Sequence, residues 1–149
     1  MGAFSLKSAV LARYAQHVVL IHFPIALFLV GVAFDYLARW TGRAAFAVVA
    51  FYNLVTAAAF VVPVIGTGLL AWRWQLEGQK LRGMLLWHLV LGCTSGILIL
   101  ATAFVRVRGR RREDGFPRGY VLPLEALAAM VVVITAHLGG ILSGVNGPA

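Results

Sequence analysis

AAFAVVAFYNLVTAAAFVVPVIGTGLL, residues 44–70, contains no charged side chain. As a helix rising about 1.5 Å per residue it would measure roughly 40 Å, more than the hydrocarbon thickness of a bilayer. In lipid no water is present to satisfy backbone N–H and C=O groups, so such a segment has to close its hydrogen bonds within itself as a helix. Arg43 precedes the run, and Trp72, Arg73 and Trp74 follow it, the aromatic and cationic residues expected at the two membrane interfaces.

Three further runs flank this one, at residues 15–34, 84–105 and 121–142, and each reaches the roughly 20 residues a crossing needs. Tyr14, Tyr36, Trp40, Trp87 and Tyr120 stand near their ends as interfacial anchors. Pro24 and Pro63 fall inside spans, where neighbouring helices re-satisfy the backbone. The chain is 61% hydrophobic and 12% charged, half the charge of a typical soluble domain, about 25%, and its mean hydropathy is +0.89. The reading is an all-α integral membrane protein: a four-helix bundle, up-down-up-down, in one transmembrane domain over residues 1–149 with the lipid bilayer as its environment.

The net charge of +8 does not indicate nucleic-acid binding, because the basic residues sit in short segments between the spans, where they set orientation and meet anionic headgroups. Cys93 is the only cysteine, which excludes an intrachain disulfide and a Cys-x-x-Cys-His haem attachment. The first run is too long for a signal-peptide core and lacks a small-residue cleavage site after it, so it reads as a mature helix.

Alternating spans put Lys7, Arg13, Arg73, Lys80 and Arg82 on one side, five in all. The other side carries eight: Arg39, Arg43, Arg106, Arg108, Arg110, Arg111, Arg112 and Arg118. The excess marks the loops after the first and third spans as cytoplasmic, with both termini in the periplasm of a bacterial inner membrane. Asp35 stands four residues before Arg39, and Glu125 opens the fourth span on the same side, so both are read as structural, facing the interface or an arginine.

All four histidines, His17, His22, His88 and His137, lie within apolar runs, where an ionisable side chain is costly and functional by default. The topology gathers them in one leaflet, with His22, His88 and His137 on the order of 10 Å inside it. These three imidazoles are expected to converge. Five residues along a helix turn His17 about 140° away from His22, which makes it an outer or interfacial group. Gly92, one turn beyond His88, and Gly140, beside His137, leave room for a flat ligand. A weak internal echo, IGTGLL at 65–70 against HLGGIL at 137–142, suggests a two-helix tandem repeat and pairs His22 with His88.

His-Phe-Pro at 22–24 with Asp35, Trp-His-x-x-x-Gly at 87–92, and His-Leu-Gly-Gly at 137–140 followed by Gly144, Val145 and Gly147 together resemble the bacterial membrane family named domain of unknown function 2231. The resemblance covers nearly the whole chain. It implies four membrane helices, and some members are joined to c-type cytochrome domains, which implies redox work. His22, Pro24, Asp35, His88, His137, Gly139 and Gly140 are the positions that carry over. The sequence departs from the pattern at Leu70 and Ala71, where an acidic residue is expected.

The leading functional expectation is a non-covalent b-type haem held by His22 and His88, with His137 as rival ligand, passing electrons between a quinol-linked donor and a periplasmic acceptor such as a c-type cytochrome. The alternatives are a binding module, in which His22, His88 and His137 hold copper or zinc or hydrogen-bond a quinone, and a structural subunit of a larger membrane complex. Hydrolytic chemistry is poorly supported, since no carboxylate pair or Ser-His-Asp set is expected to fall at one depth. The orientation is directly testable: alkaline phosphatase fused after Ala149 is expected to be active, whereas an active cytoplasmic reporter there reverses the topology.

Overall fold

The computed structural model describes residues 15–74, 76–109 and 116–144. Among the described residues there are four α-helices and no strand: α1 (Ala15–Thr41), α2 (Ala44–Trp74), α3 (Gly83–Gly109) and α4 (Val121–Leu142). All four are long and apolar enough to cross a membrane. Three of them outrun their expected spans, because the helix continues through the polar interface until a residue stops it. For α1 the stop is Gly42, whose φ of 69° suits a residue without Cβ and whose N–H caps the Ala38 carbonyl at 2.9 Å. Pro123 falls in the first turn of α4, where its missing N–H had no helical partner to lose.

Each helix packs on its neighbours in the chain, and α1 packs on α4 to close an antiparallel ring. One inward stripe per helix fills the centre. On α1 it runs through His17, Ile21, Pro24, Phe28, Val32, Asp35 and Ala38, and on α3 through His88, Gly92, Ser95, Ile99, Thr102 and Arg106. These steps of three and four residues describe antiparallel bundle packing. Phe28, Leu54, Val61, Ile99 and Val132 form the apolar middle of the core, drawn from all four helices. The outer faces carry Val19, Val62, Ile97 and Phe104, all more than half exposed, as suits a surface solvated by lipid tails.

The core ends in charge. Asp35 and Arg106 are both buried and form an ion pair, with Nη2 donating to Oδ1 at 2.9 Å, and the same Nη2 donates to the Ala47 carbonyl at 3.2 Å. Glu125 is fully buried beside them on α4. The partner of Asp35 is therefore Arg106 on another helix, not Arg39 one turn along its own. Asp35 shares the inward stripe with Val32 and Ala38, whereas Arg39 is exposed. At this end of α4 the Tyr36 hydroxyl donates to the Leu122 carbonyl at 2.9 Å, closing α1 onto α4.

Gly31 sets the distance between α1 and α2. A Cβ there would lie 2.8 Å from Cγ of Leu54, closer than packed carbons tolerate. Gly31→Ala is expected to lower stability by about 1–3 kcal/mol through overpacking, read as a lower Tm in detergent. Adding Leu54→Ala removes the obstructing atom, so the second change should cost less on the Gly31→Ala background than alone.

Candidate functional site

At the end opposite the ion pair the four stripes part around a cavity of about 230 Å3. Ile21, Val61, Ile65, Leu69, Leu85 and Leu89 give it apolar walls, and two imidazoles enter it, His17 from α1 and His88 from α3.

The same local device seats both rings. His17 rests on Gly68 of α2, where a Cβ would stand 2.9 Å from the ring Cε1. His88 rests on Gly139 of α4, where a Cβ would stand 3.0 Å from Cε1. Each glycine thus makes room for an imidazole by lacking a side chain. In both cases Cε1 is the nearest ring atom and the two nitrogens lie farther off on either side of it, so the corner between them points at the neighbouring helix. Threonines stand beside both rings. His17 Nδ1 and the Thr67 hydroxyl are 3.2 Å apart, and Thr67 also donates to the Pro63 carbonyl at 2.9 Å, which leaves its oxygen free to accept from an Nδ1–H. His88 lies near the Thr135 carbonyl, and the Thr135 hydroxyl meets Ser95 at 2.9 Å. Nδ1 of His88 is buried and has no hydrogen-bond partner among the described residues.

The expected convergence of His22, His88 and His137 does not form. His22 is exposed, and its Nδ1 turns back along its own helix to donate to the Val18 carbonyl at 2.6 Å. His137 is exposed on the outer side of α4. Neither lines the cavity, and no group of three His, Cys, Asp or Glu side chains suited to a metal occurs among the described residues. Gly92 does line the cavity, whereas Gly140 does not and its neighbour Gly139 does.

His17, expected to stand outside the site, is inside it. The physical reason is helical phase: stepping back from buried Phe28 by four, three and four residues gives Pro24, Ile21 and His17, while His22 falls between stripe positions. The same stepping on α4, from Val121 through Glu125, Ala128, Val132 and Thr135 to Gly139, passes His137 by. The roughly 140° between His17 and His22 lets only one of the two face the cavity, and the phase of the stripe makes it His17.

The model of the family described as predicted membrane protein DUF2231 matches residues 14–147, which takes in all four helices and both cavity histidines. The chain belongs to this family. No curated protein and no solved structure matches it. Membership covers the fold and the membrane setting, and the chemistry of the DUF2231 bundle in this chain has to be read from the cavity.

Proposed function

We propose that this cavity binds a lipid-soluble molecule with a flat polar ring as its head, a quinone in class, and that the chain serves as a redox-linked module of the bacterial inner membrane. The observation that carries the reading is the pair of imidazoles, His17 and His88, in an otherwise apolar cavity within a membrane bundle. Ligand cavities of drug size span about 300–1,000 Å3, so a space of about 230 Å3 suits a single ring whose tail leaves along apolar surface. A quinone carries a carbonyl oxygen at each end of its ring. Each is an acceptor, and a neutral imidazole offers one N–H donor and one bare nitrogen. His88 has its Nδ1 free for a carbonyl, whereas His17 gives its N–H to Thr67 and presents Nε2 as an acceptor for a hydroxyl of the reduced, quinol form. The unpartnered Nδ1 of His88 gives that side a polar group still in need of a partner. On the proposed topology the cavity opens in the periplasmic half, within reach of a c-type cytochrome or of a larger membrane complex.

A second reading, a b-type haem, is favoured by the same two imidazoles, which are the donor set that a six-coordinate iron takes. In that reading His17 replaces His22 as the partner of His88. A porphyrin does not fit the present arrangement, because its iron needs a nitrogen from each ring turned into the cavity and the rings turn their Cε1 corners to Gly68 and Gly139.

Quinones quench tryptophan fluorescence, and Trp72 lines the cavity. Titrating the purified protein with decylubiquinone and with menadione is expected to give saturable quenching that Trp72→Phe largely removes. Losing one buried hydrogen bond costs about 1–2 kcal/mol, so His88→Ala should weaken binding of the quinone, and His17→Ala binding of the corresponding quinol, roughly tenfold, with His22→Ala and His137→Ala near wild type. Equal affinity in all four folded variants overturns the quinone reading. Low-spin haem bands in the purified protein establish the second reading in its place.

A further inference from the structure

The end of the bundle away from the cavity holds an unusual concentration of unmet polar atoms. Oδ2 of Asp35, Oγ1 of Thr102, Nε of Arg106 and both carboxyl oxygens of Glu125 are buried and have no hydrogen-bond partner among the described residues. Asp35, Thr102 and Glu125 are fully buried, and Arg106 is 5% exposed. Native structures leave few such atoms, and five in one cluster require a cause.

Charge counting supplies it. The ionisable groups facing one another here are Asp35 from α1, Arg106 from α3 and Glu125 from α4; α2 contributes the Ala47 carbonyl, and Arg39 is exposed on the far side of α1. One guanidinium against two ionised carboxylates leaves a net charge of −1 in the core of a membrane protein, where an unpaired charge is severely penalised. The Asp35 and Glu125 carboxyls are nevertheless within hydrogen-bonding reach of each other. Two ionised carboxylates are acceptors only, and they attract only when one of them carries a proton.

We infer that Asp35 and Glu125 hold one proton between them, so that the pair, with Arg106 as its fixed counter-charge, is a proton-binding site inside the bundle. With the proton bound, Glu125 gains Asp35 as its hydrogen-bond partner, Asp35 keeps its bond from Arg106, and the cluster is neutral. When the proton leaves, Arg106 is left to balance two negative charges. Release therefore requires water or a cation to reach the cluster from the loop side, past the Tyr36 to Leu122 bond that closes α1 on α4 there. The site stands on its own residues and does not depend on what the cavity binds.

Infrared spectroscopy of the whole protein in lipid vesicles at neutral pH, in H2O and in D2O, reads this proton directly. The other acidic residues, Glu77, Glu113 and Asp114, lie outside the spans. The wild type should show one carboxylic-acid C=O band that shifts in D2O. The band should disappear in Glu125→Gln. It should also disappear in Asp35→Asn, since Glu125 then becomes the only counter-ion of Arg106 and ionises; circular dichroism checks that both variants are folded. Absence of the band from the wild type overturns the proposal without recourse to any variant. A band that persists in folded Glu125→Gln, or in folded Asp35→Asn, overturns the shared proton.

Discussion

The buried pair between Asp35 and Arg106 fixes how the helices are turned. Neither group can face lipid, so α1 and α3 must both present these residues to the bundle axis. Once that end is fixed, the spacing of three and four residues carries the same face along each helix. On α1 it leads from Asp35 to His17, and on α3 from Arg106 to His88. The two imidazoles share a cavity because the two charges pair with each other at the other end. The Ala47 carbonyl brings α2 into the same constraint through Arg106, and Glu125 brings in α4.

A second constraint is close approach. Gly31, Gly68 and Gly139 each stand where a side chain would collide with the helix opposite, but they serve different ends. Gly31 admits Leu54 and draws α1 onto α2, whereas Gly68 and Gly139 admit histidine rings. The seat of His17 in the first helix pair is thereby repeated by the seat of His88 in the second, which gives the two-helix echo a structural counterpart. The equivalence differs from the one read in the sequence: His17, not His22, corresponds to His88, and Gly139, not Gly140, to Gly68.

The fold was legible because it rests on long uncharged runs and the loops between them, features that survive without knowledge of any contact. The start of α4 at Val121 was legible for the same reason. The site was half legible. Depth along a span can be counted from its end, and it puts the histidines toward one end of the bundle; which of them face inward depends on rotation about the helix axis, which the tertiary contacts set. The stripe through Phe28 and Pro24 contained the needed phase, but family-like motifs around His22 and His137 drew attention to residues that lie off the stripes. Arg106 was obscured by its position, since it stands first in a basic run and looks like a topology signal. Only the packing separates it from Arg108, whose guanidinium lies over the Phe104 ring on the outer surface.

On the proposed function, His17 and His88, and not His22 and His137, face the ligand. Nitrogen-15 NMR of the histidine-labelled protein in lipid, recorded with and without decylubiquinone, observes all four imidazoles in one sample. The ring-nitrogen shifts of His17 and His88 should move together and saturate with added quinone, while those of His22 and His137 stay in place. Shifts confined to His22 or His137, or none at saturating quinone, would contradict the account.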